Sequence, residues 1–181
     1  MAALGTGYVA AIAAALSLTN AGDPIRIANM GVNANTVRDL AARWDRDVLA
    51  LAPNWLSVMI GINDVWRQFR KSDKGEAVMP DEFERTYDAL LARTRPSLEG
   101  LVLMTPFYVQ SAKDDPMRRR LDEYGAIARR LAARHGALLV ETQAAVDFAL
   151  LTQDYAKIAE DRVHPTRAGH DIVARAFLRT D

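Results

Sequence analysis

The chain has 181 residues, half of them apolar and a quarter charged, which suits one globular domain with a sizeable core. Its 23 basic residues balance its 23 acidic ones, so no global field recruits nucleic acid or an anionic membrane. The absence of cysteine excludes disulfides, thiolate zinc sites and cysteine nucleophiles, and suits a reducing, cytoplasmic setting.

In chain order, the first apolar stretch covers residues 8–16. It is far shorter than the ~20 residues of a membrane span and has no basic region ahead of it, so it reads as a buried, alanine-rich helix rather than a signal. Residues 25–29 read as a buried strand, and residues 36–51 as a helix. The loop between them, Asn29-Met30-Gly31-Val32-Asn33-Ala34-Asn35-Thr36, offers successive backbone N–H groups for an anion-binding nest. Asn35 or Thr36 is its candidate N-cap. Residues 55–61 form the next expected strand, ending in Gly61-Ile62-Asn63-Asp64. Residues 70–80, rich in lysine and closed by Pro80, are the expected mobile loop.

A helix over residues 81–95 and a strand over residues 100–105 follow, the latter leading into Pro106-Phe107-Tyr108. Over residues 116–135, Met117, Leu121, Tyr124, Ala128 and Leu131 make one apolar helical stripe, stopped by His135-Gly136. The run Arg118-Arg119-Arg120 reads as a solvated face of that helix. A strand over residues 137–140, a helix from 142 to about 151 and a last helix over 166–178 complete the order. Alternating strands and helices predict an α/β protein of three layers, α/β/α, with a parallel sheet covered on both faces. Ligands then bind at the carboxyl ends of the strands, where Asn29, Asn63, Asp64 and the Thr105–Tyr108 segment fall.

Asp161-Arg162-Val163-His164 lets a carboxylate reach Nδ1 of an imidazole and leaves Nε2 as a general base. Taken alone it reads first as a helix cap beside a surface histidine. Asn63, after a strand-ending glycine, can project its amide as a hydrogen-bond donor; alone, it is also an ordinary turn. Trp66, Phe107 and Tyr108 are candidate walls for an acyl or sugar pocket, or plain core.

In order and wording these fragments resemble the second, third and fifth blocks of the SGNH (GDSL) hydrolases: residues 29–36, Gly61-Ile62-Asn63-Asp64, and Asp161-x-x-His164. Further stretches, among them Ala3-Leu4-Gly5-Thr6-Gly7-Tyr8, Asn63-Asp64-Val65-Trp66-Arg67-Gln68 and Asp115-Pro116-Met117-Arg118, resemble the subgroup of bacterial acetylxylan esterases. The resemblance implies a flavodoxin-like sheet and hydrolysis of a small or carbohydrate ester through an acyl-serine, without metal or organic cofactor. It makes His164 the general base, Asp161 its orienting carboxylate, and Asn63 an oxyanion donor. The backbone N–H of Ala34, which stands where the family has a glycine, becomes a second donor. A homo-oligomer is also implied.

Two departures stand out. The family's Gly-Asp-Ser block, with its strand and nucleophile, is expected a little upstream of Ala3, and Ser17, Ser57, Ser72, Ser97 and Ser111 carry no such motif. That strand is normally central, between the segments at residues 25–29 and 55–61. The expectation is therefore direct pairing of those two, a borrowed strand, or a sequence that starts downstream of the true start. The other departure is Ala34 itself, which costs something only if its φ is positive. Two other readings stay open: a non-catalytic relative that binds an acylated sugar or serves in assembly, and a metal site built from Asp161, His164 and His170.

Overall fold

The computed structural model describes residues 4–19, 25–70 and 77–180. Among these, three strands, β1 (Trp55–Met59), β2 (Gly100–Met104) and β3 (Leu138–Val140), form a parallel sheet in the order β1-β2-β3. Trp55 lies opposite Gly100, and Met104 lies opposite both Met59 and Val140, so the carboxyl ends of the strands finish together. The helices are α1 (Tyr8–Thr19), α2 (Val37–Asp47), α3 (Ile62–Phe69), α4 (Pro80–Thr94), α5 (Pro116–His135), α6 (Thr142–Ala149), α7 (Tyr155–Ile158) and α8 (Arg167–Leu178).

The apolar run of β2 is buried at every position, and its side chains alternate between two cores. Leu101 and Leu103 pack with Trp44, Phe83, Leu121 and Tyr124 of α2, α4 and α5. Val102 and Met104 pack with Val140, Val146, Ile158 and Val173 on the face of α6, α7 and α8. This is the expected α/β/α layering. Local chemistry sets the helix ends. Thr36 and Asp39 form a complete capping box at α2, Asp115 caps α5 ahead of Pro116, and Gly136 closes α5 in a left-handed conformation.

Four expectations change. The segment at residues 25–29 forms no strand, and Ile25 is half exposed. A strand exists only when its N–H and C=O groups find a ladder, and no described residue supplies one. Nor does the segment pair with β1, whose only strand neighbour among the described residues is β2. The first helix is not buried all round: only Ile12 and Ala13 are, while Leu18 is 85% exposed. The expected helix over 36–51 breaks at Val48 into a short 3₁₀ turn.

Arg118 is not on a solvated face but 2% exposed. It donates two bonds of 2.7 Å to the carboxylate of Asp147, one of 2.9 Å to Asp122 and one of 2.7 Å to the Gln110 carbonyl. The planar guanidinium fits that bidentate partner, which offsets its burial. Of the expected mobile loop, residues 71–76 lie outside the described residues. Its far end is anchored: Val78 is buried, and its carbonyl accepts from the Gln68 amide at 3.0 Å and from the Tyr124 hydroxyl.

Candidate active site

The turn between α7 and α8 builds the carboxylate–imidazole pair. Asp161 Oδ1 accepts the backbone N–H groups of Val163 (3.0 Å) and His164 (2.8 Å), and Oδ2 lies 2.6 Å from His164 Nδ1. One side chain thus shapes the turn and fixes the ring, leaving Nε2 as the outward nitrogen. Burial raises the Asp161 pKa, but the imidazole and the two N–H groups outweigh it and hold it at about 2. The carboxylate is therefore ionised at neutral pH. Arg162, at φ +68°, takes the strain of the turn; its guanidinium lies 3.7 Å over the Tyr155 ring and donates to the Val109 carbonyl at 3.0 Å. The turn closes where Thr166 N–H donates to the Ile158 carbonyl at 2.8 Å. There Gly169 leaves no room for a side chain, since a Cβ would lie 2.3 Å from that same oxygen.

The opposing wall comes from β1 and α3. Gly61 has φ +128°, and a Cβ there would meet Pro106 at 3.1 Å. It turns the chain from strand to helix in one residue and puts Asn63 in the first turn of α3. The Asn63 amide donates one hydrogen to the Asn35 carbonyl at 3.0 Å, which leaves its second N–H for a ligand. Arg67, one turn on, donates to the Ala34 carbonyl at 3.0 Å. Ala34 adopts φ +62°, so alanine does cost something here. Its N–H is held by the Asn33 side chain at 2.9 Å, and Asn33 must swing aside before that N–H can serve a substrate.

A cleft of about 240 Å³ brings Ala34, Asn63, Trp66, Arg67, Val163 and His164 together. Asn63, Trp66 and Arg67 share one face of α3 by their three- and four-residue spacing; that periodicity could have revealed Arg67, which sequence reading missed. Val163, also missed, has no polar signal to find it by. Phe107 is buried in the second core, and Tyr108 packs half-buried against the first. Neither lines the cleft. Gln143 fixes the segment, accepting from Tyr108 N–H at 2.8 Å and donating to its carbonyl at 3.2 Å.

A larger hollow, about 600 Å³, contains His170 with Thr6 and Gly7 but neither Asp161 nor His164. His170 Nδ1 accepts the Tyr8 N–H at 3.2 Å, so the proposed three-residue metal set is not assembled. No group of three or more His, Cys, Asp or Glu able to hold a metal occurs among the described residues.

No described hydroxyl is hydrogen-bonded to His164 Nε2. Ser17 donates to the Ala13 carbonyl and Ser97 to that of Thr94, each at 2.8 Å. Ser57 lies within β1 and Ser111 in an exposed loop, while Ser72 is outside the described residues.

A parallel α/β sheet with an Asp–His pair and an asparagine amide in one cleft suits a hydrolase of the acyl-transfer class. The chain belongs to the GDSL-like Lipase/Acylhydrolase family, which it matches over residues 2–172, and so to the serine ester hydrolases. It is 49% identical over 178 residues to an acetylxylan esterase of Geobacillus stearothermophilus, covering 98% of this chain and 81% of that one. The crystal structure of Axe2, an acetylxylan esterase from that organism, superposes with a TM-score of 0.94 at 49% identity, over 97% of this chain and 80% of that one. LAE5, an α/β hydrolase enzyme from the metagenome of Lake Arreo, Spain, gives 0.93 at 47% identity, over 96% and 80%. Solved variants of Axe2 at a serine, a histidine and an aspartate are described as catalytic mutants. This company does not favour the non-catalytic reading. No described helix is long and apolar enough to cross a membrane.

Proposed function

We propose that the protein removes acetyl groups from small carbohydrate esters of the acetylated-xylan type. His164 is the general base, Asp161 its orienting carboxylate, and Asn63 and Ala34 the oxyanion donors. The observation that carries this reading is the 2.6 Å Asp161–His164 bond in the same cleft as Asn63. The acyl-accepting serine is that of a Gly-Asp-Ser segment, a motif that none of the five serines of this sequence carries.

In the first step that serine oxygen bonds to the acetyl carbon while its proton passes to His164 Nε2. Asp161 stabilises the resulting imidazolium. The carbonyl oxygen becomes an oxyanion facing the second Asn63 N–H and, once Asn33 has moved, the Ala34 N–H. Collapse breaks the bond to the sugar oxygen, which takes the proton back from His164. Water then repeats the sequence on the acyl-serine and releases acetate. The cleft is smaller than the ~300–1,000 Å³ of pockets for drug-sized ligands, which favours acetate over long acyl chains, and Trp66 offers a ring face to a pyranose.

An N-terminally extended form carrying a Gly-Asp-Ser segment should cleave p-nitrophenyl acetate and acetylated xylo-oligosaccharides. It should reject p-nitrophenyl octanoate; equal rates on acetate and octanoate would overturn the substrate assignment. The setting is cytoplasmic in this reading, and the chain assembles with copies of itself, as the resemblance to the acetylxylan esterase subgroup implies. Light scattering at the monomer mass across micromolar concentrations would remove the assembly.

A further inference from the structure

Helix α3 holds the loop at residues 33–37 at three points. Two are the bonds from Asn63 and Arg67 to the carbonyls of Asn35 and Ala34. The third is Asp64, whose Oδ1 accepts the N–H of Val37, the first residue of α2, at 2.9 Å. Asp64 and Val37 are both 0% exposed, and the second carboxyl oxygen, Oδ2, has no hydrogen-bond partner.

A buried carboxyl with one bare oxygen is costly, and its other oxygen is the partner of the buried Val37 N–H, a first-turn donor of α2. The capping box serves the two donors on either side of it: Asp39 accepts the Thr36 N–H at 2.8 Å, and Thr36 accepts the Asp39 N–H. What Asp64 adds is a fixed position for the start of α2 relative to the start of α3. Its sequence neighbour is Asn63, and its partner lies three residues beyond Ala34.

On the reading of Asn63 and Ala34 as oxyanion donors, we propose that Asp64 is a positioning residue that keeps those two donors in register across the cleft. The charged and titratable groups around it are Arg38 and Asp39 of α2, Arg67 of α3 and Tyr124 of α5. Burial, helped by Asp39, raises the Asp64 pKa to about 7 against the opposing pull of the Val37 N–H and Arg67. Below that pH the carboxyl is neutral and Oδ2 carries its proton; above it a bare charge loads the grip. The two donors therefore sense the same titration.

The test is ¹⁵N–¹H NMR of the 181-residue chain from pH 5 to 8, for the parent protein, Asp64→Asn, Asp64→Val and His164→Ala. The expected result is one shared titration near pH 7 at the Val37 amide, the Ala34 amide and the Asn63 side-chain NH₂. Asp64→Asn, which keeps an acceptor and cannot ionise, should abolish it and leave the resonances near their low-pH positions. His164→Ala should leave the Val37 titration in place. Asp64→Val should displace the Ala34 and Asn63 signals at every pH; should that variant fail to fold, the asparagine arm decides alone. A shared titration that survives Asp64→Asn, its absence from the parent protein, or a folded Asp64→Val with Ala34 and Asn63 unmoved would each overturn the assignment. An inactive esterase assay leaves these readouts untouched, so the two readings fail separately.

Discussion

At the scale of single residues, the loop ahead of α2 carries a conflict between side chain and backbone. Ala34 sits at φ +62°, where a Cβ costs roughly 1–2 kcal/mol, part of which glycine returns as lost chain entropy. Ala34→Gly should therefore raise stability by about 1 kcal/mol, or a few degrees in Tm; a fall would show that the loop does not need this conformation. The Asp161–His164 contact was legible in the sequence because one three-residue turn supplies both its acceptor and its donors, although its role came only from reading it together with the other two fragments. Asn63 was legible for a similar reason, following a strand-ending glycine whose φ is positive. For Phe107 and Tyr108 the sequence left pocket wall and plain core both open, and the structure takes the core. An aromatic after a strand carries no direction in its own sequence, and here Gln143, far along the chain, sets that direction.

At the scale of elements, the strands β1, β2 and β3 follow from their short apolar runs, and α4, α5 and α8 from periodicity and caps. Residues 25–29 show the limit of such reading. Their Ile-Arg-Ile alternation satisfies every local rule for a strand, yet pairing is a property of two segments. Arg118 shows it again: its neighbours in sequence are charged, but the carboxylate that makes its burial tolerable lies 29 residues away. The seat of α8 on α7 was equally hidden, because Gly169 matters chiefly through a carbonyl eleven residues earlier. Gly169→Ala pushes a methyl to 2.3 Å from Ile158 O, and rigid backbone has nowhere to give. The cost should be about 1–3 kcal/mol, visible as a lower urea midpoint, with changed NMR signals at Asp161 and His164. An unchanged midpoint would mean that the α7–α8 turn is looser than its geometry implies.

Across the whole molecule, two sets of carboxyls pull stability in opposite directions with pH. Asp161, held at about 2, contributes stability that is present above the ordinary aspartate range and lost as pH falls toward 2. Asp64, raised to about 7, does the reverse. The folded state binds its proton more tightly than the unfolded chain, so that contribution is complete below pH ~4 and declines as pH rises to about 7. The span is at most about 4 kcal/mol. Urea denaturation should show Asp64→Asn gaining on the parent protein between pH 4.5 and 7.5, and a constant difference between them would contradict the sign.

On the proposed function, the Asp–His pair and the asparagine that share one cleft act on the serine of a Gly-Asp-Ser segment, a motif that none of the serines of this sequence carries. The most direct test is the rate of p-nitrophenyl acetate hydrolysis by the 181-residue chain and by an N-terminally extended form bearing Gly-Asp-Ser, each with and without His164→Ala. The account predicts near-background turnover by the chain alone. It predicts ready turnover by the extended form, reduced by roughly 10⁶-fold when His164 is removed. Ready, His164-dependent turnover by the 181-residue chain alone, or an extended form indifferent to His164, would contradict it.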